Sequence, residues 1–155
     1  MAIPDRPDEI ERDAVLPMKA PTKSRILIVS ENDLEADSLK MVLREAGLAS
    51  ESARSISTAC EWARPGGFQV IFSSCCLEDG SWRRLIDLAH HYDLNFEVIL
   101  IARNIGDKEW AEALQLGAFD VVDLVSELPR AAALARSAVG ADYLVRFRPH
   151  QKQAA

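Results

Sequence analysis

The amino-acid sequence predicts an α/β fold, a single doubly wound (βα)5 domain built on a five-stranded parallel sheet. Short, wholly apolar segments such as Ile26–Val29 and Val98–Ile101 are typical of strands buried on both faces. Between such segments lie stretches whose apolar residues recur with helical spacing and whose ends carry capping residues. Strand and helix alternate five times, and this order favours right-handed crossovers with helices on both faces of the sheet.

The first strand and helix occupy residues 26 to 47. Asn32 or Asp33 can cap the helix, and Gly47 suits the turn that ends it. The inward positions of this helix are Leu39, Val42, Leu43 and Ala46. Leu48–Ala53 has a weaker strand pattern and is assigned to the second strand.

The second helix is expected to begin at Ser57 or Thr58, because Thr58 and Glu61 have the spacing of a capping box. Pro65-Gly66-Gly67 ends this helix. Its inner face is predicted to comprise Ile56, Cys60 and Ala63. The third strand follows from Phe68 and is rich in β-prone residues.

Ser81 is the predicted cap of the third helix and Asp107 that of the fourth, which is expected to stop at Gly117. The predicted inward residues of the third helix are Leu85, Leu88, Ala89 and Tyr92. Those of the fourth helix are Trp110, Ala113 and Leu114. Phe119–Leu124 is the fifth strand, and Pro129 suits the first turn of a fifth helix.

The chain is predicted to contain one domain at residues 24–140, where the fifth helix is expected to reach Gly140. Residues 1–23 contain four prolines and charges of both signs, so we expect a flexible leader. Residues 141–155 are expected to form the helix end and a polar C-terminal tail.

Composition excludes several functional classes. The formal net charge of −6 and the sequence pI of about 5.1 do not favour a nucleic-acid-binding protein. The apolar runs are of strand length, too short for a membrane span, and the N-terminus lacks the apolar region of a secretory signal. Three cysteines form no even disulfide framework, so we expect a cytoplasmic protein with free thiols.

In a parallel sheet the loops after the carboxyl ends of the strands form the functional site. These loops are 30–33, 73–80, 102–106 and 123–126. The loop after the third strand begins with Ser73-Ser74-Cys75-Cys76, which supplies two hydroxyls and two thiols but no carboxylate.

Two segments and one dipeptide resemble the response-regulator receiver domain, the CheY-like (βα)5 module. They are ILIVSENDLEADSLKMVLREAGL at the first strand and helix, LQLGAFDVVDL with Gly117, Ala118 and Asp120, and Asp79-Gly80. The resemblance covers roughly residues 24–140. It implies a flavodoxin/CheY-like fold and a signalling role in a two-component system or phosphorelay.

A typical receiver has an acceptor aspartate after the third strand, an acidic pair after the first, a Thr or Ser after the fourth and a Lys after the fifth. In this sequence the corresponding positions hold Ser74 (acceptor), Ser30 and Glu31 (acidic pair), Ala102 (Thr or Ser) and Leu124 (Lys). A serine hydroxyl is not ionised at neutral pH, and a single carboxylate at Glu31 is a poor magnesium ligand set. We therefore expect no aspartyl phosphorylation and no cofactor, with Glu31 as the one residue of a weak Mg²⁺ site if such a site survives.

The resemblance thus implies a pseudo-receiver: a stand-alone, non-enzymatic module that acts by protein–protein interaction. Its partner would be a histidine kinase or another signalling protein that binds residues 107–140, and a homodimer is a further expectation; nucleic acid and membrane are not expected partners. Two alternatives remain open. One is a conventional phospho-acceptor regulator with a displaced site, and the other is a small ligand-binding or enzymatic flavodoxin-like domain.

Several other residues invite a chemical interpretation. Cys75-Cys76 and His90-His91 suggest a metal or redox site, but buried or loop-lining thiols are the favoured interpretation. Ser74 could be the substrate of a separate kinase, though simple loss of the acceptor is favoured. Trp62 and Trp110 are assigned to the core, whereas Trp82 is assigned to a half-exposed helix position, with filling of the vacated acceptor pocket as the sharper alternative.

Overall fold

The computed structural model describes residues 26–147, with side chains described as far as Val139. Five parallel strands form one sheet in the order β2-β1-β3-β4-β5. They are β1 (Ile26–Val29), β2 (Ser50–Ala53), β3 (Val70–Ser74), β4 (Glu97–Ala102) and β5 (Asp120–Asp123). The predicted (βα)5 fold is confirmed, while the predicted leader at residues 1–23 and the tail beyond residue 147 lie outside the described residues.

Five helices connect or follow these strands. They are α1 (Asp33–Glu45), α2 (Ile56–Ala63), α3 (Arg83–Tyr92), α4 (Asp107–Gln115) and α5 (Arg130–Phe147). A short antiparallel hairpin pairs Cys76–Leu77 with Gly80–Ser81 between β3 and α3. Among residues 26–147, no helix is long and apolar enough to cross a membrane.

The sheet is covered on both faces, as its wholly apolar strands require. Side chains that alternate along β3 enter opposite layers: Ile71 packs with α2, α3 and α4, whereas Val70 and Phe72 pack with α1 and α5. All three are fully buried. Removing a side chain of this size from water stabilises the fold by about 1.5–3 kcal/mol.

The start of α1 follows the sequence prediction. The Asn32 side-chain oxygen accepts hydrogen bonds from the backbone N–H groups of Leu34 at 2.9 Å and Glu35 at 3.2 Å. Gly47 follows the helix with a φ of +82°, in the left-handed region that glycine tolerates best.

The start of α2 differs from the prediction. Ser55 is the N-cap, and its Oγ accepts a hydrogen bond from the Thr58 N–H at 3.1 Å, so the capping box of Thr58 and Glu61 is wrong. The helix begins earlier because Ser55 caps it and the Asp79 carboxylate accepts hydrogen bonds from the first backbone N–H groups of the helix. The predicted inward residue Cys60 is half-buried, and Ala59 occupies the core beside it.

The start of α3 also corrects the prediction. Ser81 pairs with Cys76 in the hairpin, and Trp82 rather than Ser81 is the N-cap. The Ser81 hydroxyl nevertheless accepts a hydrogen bond from the Arg83 N–H at 3.2 Å. At the other end of α3, Tyr92 is exposed rather than inward, and its ring lies 5.3 Å from the guanidinium carbon of Arg64.

In α4 the predicted inward face is wrong for two of its three residues. Trp110 is 41% exposed and Leu114 is 36% exposed, whereas Ala113 is buried. The N-cap is Gly106, so Asp107 is the first helical residue and not the cap. In α5, Pro129 lies directly before the first residue, and the helix continues past Gly140 to Phe147.

Candidate functional site

The carboxyl edge of the sheet brings together the predicted site residues of β1, β3 and β4. Strand registers pair Val29 with Ser73, and Ser74 with Ile101. The residues that follow Val29 and Ile101, which are Ser30 and Ala102, therefore flank the end of β3 on its two sides.

Ser30 is buried at 2% exposure and is fully engaged in hydrogen bonds. Its Oγ accepts from the Asn32 N–H at 3.0 Å and lies 3.2 Å from Glu35 Oε1 as a donor. This hydroxyl therefore shapes the turn between β1 and α1 instead of offering a charge to a cation.

Glu31 is the carboxylate that the resemblance assigns to the acidic pair. Its side chain is exposed, and Oε2 accepts a hydrogen bond from the backbone N–H of Glu78. The bond ties the loop after β1 to the hairpin after β3. Glu31 thus has a structural partner in the hairpin at one of its two carboxylate oxygens.

The two serines at the end of β3 differ in environment. Ser73 is fully buried, and its Oγ donates to the Ser74 carbonyl at 2.9 Å. Ser74 is half-buried, and within the described part of the chain no acid or base forms a hydrogen bond with its hydroxyl. A hydroxyl without a base is a weak nucleophile, and in this structure the Ser74 hydroxyl has no such base among the described residues.

The ends of β4 and β5 carry apolar side chains. Ala102 has no hydroxyl to offer, and its carbonyl accepts from the Leu124 N–H at 2.8 Å. The Leu124 side chain packs against the apolar layer of α1 and α5. Leu124, which the resemblance assigns to the lysine position, therefore contributes packing and no positive charge.

A positive charge nevertheless enters this edge from Arg103, a residue that the sequence did not single out. Arg103 Nε donates to Glu35 Oε2 at 2.8 Å, while the other oxygen of Glu35 faces Ser30. Glu35 is only 14% exposed, so the ion pair is partly shielded from solvent. The three residues join the β4–α4 loop to the first turn of α1.

Asp79 has a structural role that the resemblance did not indicate. Its two carboxylate oxygens accept from the N–H groups of Ile56 at 2.9 Å and Ser57 at 2.8 Å. These hydrogen bonds lower the pKa of the Asp79 carboxyl from 3.8 to about 2. Asp79 therefore anchors the hairpin to the N-terminus of α2, where a negative charge is favourable.

Asp120 and Asp123 organise the end of β5 in a similar way. Asp120 Oδ2 forms an ion pair with Arg130 at 2.9 Å, which fastens the strand to α5. The Asp123 carboxylate accepts from the Val125 N–H at 2.9 Å, and hydrogen bonds of this kind lower the pKa of that carboxyl. Both carboxylates are occupied by the fold itself.

A cleft of about 420 Å³ opens beside the end of β3, between α3 and α4. Trp82 lines it and is only 5% exposed. The half-exposed assignment of Trp82 is therefore wrong. Trp62 and Trp110 are each 41% exposed, so their assignment to the core is also wrong. The lining also includes Cys75, Leu100, Ala102, Arg103, Glu109, Ala113 and Leu116.

Of the favoured interpretation of Cys75 and Cys76, the loop-lining alternative agrees with the structure and the buried alternative does not. Cys75 and Cys76 are both exposed, so they are not buried thiols, although Cys75 does line the cleft. Partial burial, with the neighbouring Cys76 thiol as a second cause, raises the pKa of Cys75. His90 and His91 lie in the last turn of α3, and no group of three metal-ligating residues occurs in the described part of the chain.

No protein-family model matches the sequence. No curated protein matches it either.

Solved structures, in contrast, match most of the chain. The NtrC4 receiver domain in its beryllofluoride-activated dimer is 21% identical, with a TM-score of 0.68, 76% of this chain covered and 98% of that one. The signal receiver domain of an HD domain-containing protein from Pseudomonas fluorescens Pf-5 is 17% identical, with a TM-score of 0.71 and coverages of 84% and 97%.

A third matching chain comes from a complex of two proteins. A chain in the co-crystal structure of the Saccharomyces cerevisiae histidine phosphotransfer protein Ypd1 and the receiver domain of its response regulator Ssk1 is 19% identical, with a TM-score of 0.58 and coverages of 68% and 81%. At these identities the matches establish the fold, which is that of receiver domains.

Proposed function

We propose that the protein is a non-enzymatic, cytoplasmic receiver-like module of a two-component system or phosphorelay that acts by protein–protein interaction and is not phosphorylated on aspartate. The observation that carries this proposal is the end of β3. There a receiver fold presents the half-buried hydroxyl of Ser74 in place of a carboxylate.

The surroundings of Ser74 support the same conclusion. Phosphoryl transfer depends on a hard cation that bridges the transferred group and on a fixed positive charge that stabilises the product. Ser30 brings no charge, and Glu31 is bonded to the Glu78 N–H. Leu124 supplies no ammonium, and the Arg103 guanidinium is already paired with Glu35.

The protein-interaction part of the proposal is supported by the surface of α4. Trp110, Leu114 and Leu116 are large apolar residues that are exposed by 41%, 36% and 43%. Val125, after β5, is exposed by 58%. Accessible aromatic and aliphatic side chains of this kind are typical anchors of protein interfaces. We place the partner surface within residues 107–140.

The structural neighbours support the proposal that the partner is a protein. One of them is a receiver domain dimer, and another comes from a complex with a histidine phosphotransfer protein. These neighbours support a signalling protein or a second copy of this chain as the partner, and a histidine kinase is one such signalling protein that we propose.

A phosphodonor experiment tests the proposal. The full chain is incubated with a small phosphodonor and Mg²⁺ and its intact mass is measured; we expect no acid-labile phosphoryl adduct. The matched control restores the receiver chemistry with Ser30→Asp, Ser74→Asp, Ala102→Thr and Leu124→Lys together. This variant is expected to gain the adduct, which would demonstrate that the scaffold and the assay are competent.

A stoichiometric acid-labile adduct on the unaltered protein would overturn the proposal. If that adduct persisted in Ser74→Ala, it would favour a conventional acceptor at a displaced site.

A further inference from the structure

We propose that Cys75 and Cys76 form a dithiol site for a trivalent arsenical, bound through one sulfur–arsenic bond from each cysteine. The inference depends on the exposure and placement of this pair and not on the signalling function proposed above. The two residues lie at the bend where β3 passes into the hairpin, and both are exposed.

The number of ligands favours this chemistry over a zinc site. Structural zinc sites use four ligands, and among the described residues no group of three metal-ligating side chains exists. A monosubstituted arsenic(III) centre needs only two thiolate ligands, because its third substituent is its own. The remaining cysteine, Cys60, is half-buried on α2 and cannot complete a larger thiolate set at the bend.

The binding step is a ligand exchange that balances without an oxidant. An organoarsonous acid carries two hydroxyl groups on arsenic, and each cysteine sulfur displaces one of them. Two sulfur–arsenic bonds form, two oxygen–arsenic bonds break, and the thiol protons leave in two molecules of water. Arsenic remains trivalent. A ring in which arsenic is inserted between the two cysteine sulfurs is less strained than the ring that a direct disulfide between neighbouring residues would close.

The backbone of Cys75 connects this site to the cleft. The Cys75 carbonyl accepts from the Trp82 N–H at 3.4 Å, and both residues line the cleft. Closing a ring through Cys75 restricts the bend that holds Trp82. Occupation of the site should therefore change the fluorescence of the Trp82 indole, and it would introduce a thiol-reactive input directly beside Ser74.

The test uses the full, reduced chain and phenylarsine oxide, followed by intact mass spectrometry. We expect one phenylarsine unit per chain, removable by an added 1,2-dithiol but not by an equal concentration of a monothiol. Cys75→Ser and Cys76→Ser should each weaken binding by about 100-fold or more, since the second thiol acts intramolecularly at high effective concentration. Cys60→Ser is the matched control and should leave binding unchanged.

A second readout uses Trp62→Phe with Trp110→Phe, which leaves Trp82 as the tryptophan that reports; its emission should shift on binding. Because Cys75 and Cys76 are exposed, their serine variants should keep the urea midpoint of the parent protein. Full affinity in either serine variant, or loss of the adduct in Cys60→Ser alone, would overturn the assignment.

Discussion

Replacing Trp82 by alanine is the most direct test of how this structure closes the region beside Ser74. The indole is 5% exposed and belongs to the apolar layer that includes Leu77 and Leu100. Removing a buried aromatic side chain costs about 3–5 kcal/mol. Since Trp82 borders an open cleft that water can enter, we expect a value near the lower limit, about 3 kcal/mol.

The controls are two tryptophans whose side chains are more exposed than that of Trp82. Trp62 and Trp110 are each 41% exposed, so Trp62→Ala and Trp110→Ala should each cost roughly 1 kcal/mol or less. Urea unfolding followed by far-ultraviolet circular dichroism, with the slope of the transition compared between variants, measures all three free energies of unfolding. For a domain of this size about 3 kcal/mol lowers Tm by roughly 10 °C.

This reasoning would be refuted if the tryptophan variants lost equal free energies of unfolding. If Trp82→Ala were no more destabilising than Trp110→Ala, Trp82 would not be a core residue, and the cleft would not be bounded as described.

Two further predictions concern the hairpin and α4. Asp79→Asn should lower the urea midpoint at neutral pH, because the carboxyl pKa of about 2 in the fold lies below its ordinary 3.8. The stabilisation that Asp79 contributes is present above pH 3.8 and is lost as pH falls through about 2, so the urea midpoints of parent and variant should converge in acid. A difference in midpoint that did not change with pH would contradict this assignment. Trp110→Ala with Leu114→Ala should weaken affinity-capture of a signalling partner by about 30-fold or more, as expected for an aromatic anchor. The exposed apolar pair on α1, Leu34→Ala with Met41→Ala, is the control, and loss of capture in the control alone would place the interface elsewhere.

The fold was predictable from the sequence because its strands are short, wholly apolar and separated by clear helix signals. Ile26–Val29 and Val98–Ile101 can be stable in water-soluble proteins chiefly as strands covered on both faces. The cap at Asn32 was predictable for a similar reason, since its hydrogen bonds reach only two and three residues along the chain.

The wrong predictions of buried residues and helix starts share a physical cause. Local spacing does not determine which residues are buried or where a helix begins, because tertiary contacts do. Trp110 lies at helical spacing from a buried position, but the small Ala113 takes the contact with the sheet and leaves the indole exposed. The N-terminus of α2 is bound by Asp79, which is 22 or 23 residues away in sequence. No local pattern encodes such a contact.

For the candidate site, the sequence predicted which positions take part but not the contacts between their side chains. That Ser30, Ser74, Ala102 and Leu124 occupy those positions of a receiver stays a prediction, although the strand registers place the first three side by side. Arg103 and Glu35 are 68 residues apart, so their ion pair could be found only in the folded chain.

The first turn of α1 is connected by charged side chains to two other loops of the same edge. Arg103 reaches Glu35 from the loop after β4, and Arg54 reaches Asp33 from the residue after β2. Dissolved ions screen the pair of Arg54 and Asp33, in which both side chains are mostly exposed, more than the pair of Arg103 and Glu35, whose carboxylate is 14% exposed. The stiffness of this edge should therefore fall as ionic strength rises, so dissolved salt is a physical variable that acts on the loops after β2 and β4.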